Sequence, residues 1–124
     1  MRESQPAGQE GDAMGDRQNG AMPARREVPG MPERVTAIHY AIGSATRVTV
    51  LRYVLENPQA TRSALVEATG MAPAPARLAL AALEERGYIT ADVEGDRVGK
   101  TVRYSANRAK VSEDASAFLG WLLR

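Results

Sequence analysis

The chain has 124 residues and nearly balanced charge, 16 Lys and Arg against 15 Asp and Glu, with one His and no Cys. That length suits one domain of ordinary size with a tail; the missing cysteines exclude disulfides, thiolate metal sites and a Cys nucleophile, and one His cannot build a His-rich zinc site. No apolar run approaches the roughly 18 residues of a membrane-spanning helix, and the N-terminus has no secretory h-region, so a soluble, cytoplasmic protein is expected.

Residues 1–30 hold five Gly, three Pro and no Ile, Leu or aromatic residue. Such a stretch cannot bury enough apolar surface to offset roughly 1–2 kcal/mol of ordering entropy per residue, and it reads as a disordered tail, with Arg25 and Arg26 solvated. Residues 31–124 then form the folded domain. Its charge is mildly basic: residues 1–34 hold five basic and six acidic groups, leaving eleven and nine for the rest.

The first periodic segment is Pro32–Ile42, a helix with Pro32 at its first position and Val35, Ile38 and Ile42 on one face. Gly43 stops it, and Ser44 caps a second helix over Ala45–Glu56. There Val48, Leu51 and Leu55 form an apolar row that Val54 widens. Asn57-Pro58 ends this helix. Thr61 caps a third one carrying Leu65, Val66 and Ala68, and Gly70 lies just past its end. Pro73 opens a fourth helix that runs to Arg86 and closes at Gly87.

The period then changes to two. Ile89, Ala91 and Val93 alternate with Thr90 and Asp92, a strand pattern. Glu94–Lys100 is a turn with two glycines, and Thr101–Ser105 is a second strand with Val102 and Tyr104 on one face and Arg103 on the other. Arg108–Arg124 returns to helical spacing, with Val111, Ala115, Phe118, Leu119 and Leu122. The fold class is therefore α+β, mainly α.

A short turn between two helices, followed at once by a hairpin, resembles the winged helix-turn-helix regulators of the ArsR and MarR type. The resemblance spans residues 42–105. It rests on Arg47 ahead of Val50-Leu51, on Leu65 and Gly70 around the turn, on Leu80 and Leu83, and on Gly87-Tyr88-Ile89 leading into the wing. It implies a three-helix core plus β-hairpin wing with flanking N- and C-terminal helices, and a DNA-binding transcriptional regulator, expected to be a repressor and a homodimer. The helix around 73–86 and the wing at 94–103 would read duplex DNA. Phe118, Trp121 and Leu122, together with Val35 and Ile38 of the first helix, are the expected dimer interface.

The residues of the reading helix are unusual for that role. With Leu80, Leu83 and Ala76 inward, Ala74, Leu78, Ala81, Ala82 and Glu85 face out, with Arg77 on the flank. Arg77 alone can make a bidentate contact, to guanine O6 and N7; Ala74, Leu78 and Ala81 can only pack on thymine methyls or sugars. Ala72 falls at the N-cap, where Ser or Thr is worth about 1 kcal/mol more. Pro73 and Pro75 remove two of the N–H groups that a helix start offers to phosphate. DNA contact is expected elsewhere: from positive charge on the wing at Arg97, Lys100 and Arg103, and from the two hydroxyls and one guanidinium of Thr61, Arg62 and Ser63 at the start of the third helix. Arg47 reads as structural and Glu84-Glu85 as a solvated helix end. Asp92, Glu94 and Asp96 lack the further ligands that calcium needs, and His39 has no partner at metal spacing. No cofactor, metal, membrane contact or catalysis is expected. An alternative to DNA binding is a protein-interaction module that uses the apolar strip of Pro75, Leu78 and Ala82.

Overall fold

The computed structural model describes residues 28–124. Of the expected disordered tail, residues 1–27 lie outside that range. Five helices and three short strands follow: α1 (Glu33–Ile42), α2 (Ala45–Glu56), β1 (Ala60–Thr61), α3 (Arg62–Thr69), α4 (Pro73–Glu85), β2 (Ile89–Ala91), β3 (Arg103–Ala106) and α5 (Arg108–Leu122). The helices α2, α3 and α4 with the β2–β3 hairpin make a winged helix-turn-helix, and α1 and α5 flank it.

Local chemistry sets the boundaries. Pro32 is the N-cap of α1 rather than its first residue. Ser44 Oγ accepts from the Arg47 N–H at 3.3 Å and starts α2. Thr61 Oγ1 accepts from the Ala64 N–H at 3.1 Å and starts α3. Gly70 stops α3 at φ +73°, a left-handed conformation that a side chain resists. Asn107 accepts from the Lys110 N–H at 3.1 Å and starts α5.

The core is built by Ile38, Ala41, Val50, Leu51, Val54, Leu65, Ala76, Ala79, Leu80, Leu83, Tyr88 and Ile89. Two helix faces differ from those predicted by spacing. In α1 the buried row is Val35, Ile38 and Ala41, while Ile42 is exposed. In α2 it is Val50, Leu51 and Val54, while Val48 is exposed. Both helices carry β-branched or aliphatic residues on more than one side, so neighbouring elements decide which row is covered. For α2 those neighbours are α4, β3, α1 and α3.

The sheet order is β1-β3-β2, all antiparallel. Ile89 pairs with Ala106 and Ala91 with Tyr104, and Ala60 pairs with Tyr104 from the other side. The two-residue β1 is too short for alternation to register in sequence. The hairpin ladder is also shorter than predicted at its wing end. Asp92 donates its N–H to the Arg103 carbonyl (3.0 Å) while its carboxylate takes the Arg103 N–H (2.9 Å), and this closes the ladder.

One buried polar group joins the flanking helices to the rest. Asp114 of α5 has no exposed surface. It accepts the buried Tyr88 hydroxyl at 2.8 Å, Arg34 Nε of α1 at 2.8 Å and Lys110 Nζ at 3.3 Å. Burial alone would raise its pKa, but the Tyr88 hydrogen bond and the two cations outweigh that and hold it below its ordinary value. Burial, and then the Asp114 bond, raise Tyr88 well above the usual phenol range.

Replacing Asp114 by Ala should cost about 1–3 kcal/mol in urea melts by stranding the Tyr88 hydroxyl. Arg34 and Lys110 are exposed enough to regain water and should add little to that loss. The pH dependence has two sides. The depressed Asp114 contributes stability above about pH 4 that is lost as pH falls further. The raised Tyr88 contributes stability up to about pH 10 that is lost as pH climbs beyond it. Melts at stepped pH should fall on both flanks, and Tyr88→Phe should remove part of the alkaline fall.

Candidate nucleic-acid interface

The start of α3, the flank of α4 and the wing enclose an open groove of about 480 Å³. Thr61, Arg62 and Ser63 come from the α3 start, Arg77, Ala81 and Glu84 from α4, and Arg97, Lys100, Thr101, Val102 and Tyr104 from the wing side. Six of the nine residues predicted from sequence for DNA contact therefore share one cavity: Thr61, Arg62, Ser63, Arg77, Arg97 and Lys100. Residues more than thirty positions apart meet there because β1 hydrogen-bonds to β3 and brings the α3 start beside the wing.

Ala74 and Leu78 lie outside the groove on the outward face of α4, and Leu78 is 65% exposed. Arg103 is separated as well. Strand alternation turns it to the opposite face from Val102 and Tyr104, where it lines a smaller cavity of about 170 Å³ with Gln59, Thr90, Ala91, Asp92 and Ser105.

Arg97 departs from its expected state. Its two terminal nitrogens reach the two carboxylate oxygens of Glu84 at 3.2 and 2.7 Å, a fork-on-fork pair. The Glu84 carboxylate raises the Arg97 pKa above its ordinary value. Glu84 is accordingly half-buried rather than solvated, with a side chain 30% exposed. The wing supplies its cation to the α4 flank instead of extending it at the tip. Sequence held a signal for this pairing only as two opposite charges thirteen positions apart, across a bend whose shape it did not disclose.

The tip itself is made of local turns. Asp96 Oδ1 accepts the Val98 N–H at 3.0 Å, and the Arg97 carbonyl accepts the Lys100 N–H at 3.1 Å. Val98 is left 85% exposed at that tip.

Arg47 is structural, as read from sequence. Its Nε bonds the Tyr40 carbonyl at 2.9 Å, and its guanidinium lies 3.6 Å from the centre of the Tyr40 ring, as does that of Arg86. The α4 start has the expected defect: Ala72 is the N-cap, no side chain caps it, and Pro73 opens the helix. His39 stacks on Phe118 at 5.8 Å, and among the described residues no group of three or more His, Cys, Asp or Glu could hold a metal ion.

The expected dimer interface needs correction. Val35 and Ile38 are 2% and 0% exposed, buried within the single chain where α1 packs along α5. They are withdrawn from any surface a second copy could touch. Phe118 and Trp121 are half-buried and stacked at 6.4 Å, whereas Leu119, Leu122 and Leu123 are exposed. Among the described residues no helix is long and apolar enough to cross a membrane.

Residues 44–90 match the family model described as a winged helix-turn-helix DNA-binding domain. Among solved structures, the crystal structure of an ArsR family transcriptional regulator is similar at a TM-score of 0.59 and 23% identity, over 74% of this chain and 89% of that one. This likeness shows the fold. No curated protein matches.

Ala72→Ser should raise stability by less than the roughly 1 kcal/mol of an ordinary cap in a thermal or urea melt, because Pro75 at N3 has no N–H and only the Ala74 N–H remains for the hydroxyl. An increase of the full amount would mean that the Ala74 N–H takes the cap as well as an N3 donor would.

Proposed function

We propose that this winged helix-turn-helix protein is a DNA-binding transcription regulator, a repressor acting as a homodimer, that lays α4 in the major groove with its wing against the flanking backbone. The observation that carries the reading is the groove itself. Two hydroxyls and the cations of Arg62, Arg77 and Lys100 converge there, beside the helix that this fold presents to a duplex. Hydroxyls and guanidinium groups near the free N–H groups of a helix start form a good phosphate site, which suits Thr61, Arg62 and Ser63.

Within that reading the roles divide by chemistry. Arg62 and Lys100 neutralise phosphates on the two sides of the groove. Arg77 is the one long donor on α4 and reads guanine. Ala74 and Leu78 pack on thymine methyls. Arg103, on the other face of the hairpin, takes a flanking phosphate. Affinity rests on charge around α4 more than on α4 itself, because Pro73 and Pro75 have no N–H to offer. The exposed leucines of α5 with Trp121 are the surface for the second copy. A dimer would set two α4 helices about 34–36 Å apart on a pseudo-palindromic site.

The 65% exposure of Leu78 favours a second reading, in which Pro75, Leu78 and Ala82 dock a protein partner. Leu78→Glu separates the two: loss of a protein association with duplex affinity retained favours the second reading, whereas weakened duplex binding favours the first, which sets Leu78 against the bases.

The central measurement is duplex affinity as a function of salt, using sequences selected from a random pool. Arg62→Ala and Lys100→Ala should each lower the salt slope by about one while weakening all sequences alike. Arg77→Ala should cost about 1–3 kcal/mol on the selected sequence and relax preference at one base pair. Wild-type protein that binds no duplex at low salt would remove the DNA reading altogether.

A further inference from the structure

The Glu84–Arg97 pair lies between α4 and the wing, at the edge of the groove. Both partners are about two-thirds covered, with side chains 30% and 33% exposed. Both terminal nitrogens of Arg97 are engaged by both oxygens of Glu84. A planar fork on a planar carboxylate fixes direction as well as distance, which a lysine in place of Arg97 would not do. The rest of the wing is shaped by short-range turns. Val98 bonds Asp96 and Lys100 bonds Arg97, while Gly95 and Gly99 both take φ +74°. Turns of this kind define the loop's own shape and leave its tilt over α4 to a longer-range tie.

We infer that the Glu84–Arg97 ion pair is a strut that holds the wing at a fixed tilt over α4, and so sets the separation of Lys100 on one wall of the groove from Arg62 and Arg77 on the other. This inference rests on the DNA-binding reading. Glu84 and Arg97 are positioning residues in it, since neither needs to touch the duplex. The pair is neutral, so its contribution is spacing rather than charge. It gives a reason for a carboxylate in a groove whose other charged residues are all cations, where an unpaired Glu84 would repel phosphate. It also makes the wing a rigid ruler: a duplex whose phosphates match the spacing is favoured over one whose groove width differs.

The test removes the strut without altering net charge. Glu84→Gln combined with Arg97→Met deletes both charges and keeps both stems. Two readouts are taken, with far-ultraviolet circular dichroism confirming the fold. In the free protein, amide hydrogen exchange at Asp92 and Arg103, whose cross-strand bonds close the ladder where the wing begins, should accelerate. On DNA, preference for the selected duplex over a random-sequence duplex should fall about tenfold with an unchanged salt slope. The charge-swapped variant, Glu84→Arg with Arg97→Glu, should recover wing protection.

A double variant with wild-type exchange and wild-type preference overturns the strut. So does a salt slope lowered by about one with preference retained, which would make Arg97 a direct phosphate contact. A swapped variant as unprotected as the double variant also overturns it. If the wild type binds no duplex at low salt, the DNA reading fails by itself, and the exchange arm still decides whether the pair holds the wing.

Discussion

A carboxylate with no access to water has to be satisfied from inside the protein, and Asp114 meets that demand by recruiting three elements at once. The Tyr88 hydroxyl comes from the residue that leads into β2, Arg34 from α1, and Lys110 from the turn before it on α5. Two of the partners come from outside α5, so the carboxylate ties α1 and α5 to the end of α4 and the start of the wing. The cost of burying the charge is met by three donors, two of them cationic. Without that anchor, α5 would be left with the half-buried Val111, Ala115 and Phe118 and the Arg108 bond to the Leu55 carbonyl, and the hairpin would lose one of the ties at its base.

From that base the groove follows. Tyr88 and Ile89 place β2, β2 places β3 through a three-residue register, and β3 pairs with β1 directly ahead of α3. Thr61, Arg62 and Ser63 are thereby set opposite the wing. A strand of only two residues thus couples the helix-turn-helix to its wing, and its value lies in register rather than in bond count. The wing's outer half is held differently, by a charged fork on α4.

The design places charge around the central helix and leaves that helix nearly without donors. The outward face of α4 is Ala and Leu, with two prolines in its first turn. A phosphate offered to such a start meets fewer N–H groups than usual. The hydroxyls and cations stand on its two neighbours, and Arg77 lies on the boundary between the two.

How much of this was legible in the sequence depends on the range of the physics. Caps, stops and period are local, so Ser44, Thr61, Gly70 and the bounds of α2 read directly. So did the winged helix-turn-helix order, whereas only six of the nine residues expected at DNA gather in the groove. What tertiary packing alone decided were the facts that depend on distant neighbours. It turned Ile42 and Val48 outward, folded Val35 and Ile38 into a single chain's interior, and sent Arg103 to the far side of the hairpin. It drew Arg97 back onto Glu84, and made Asp114 the most deeply buried charge among the described residues. A helix with apolar residues on several sides has no preferred inward face until something packs on it. A charge likewise has no assigned role until a partner stands within about 3 Å, the reach of a hydrogen bond.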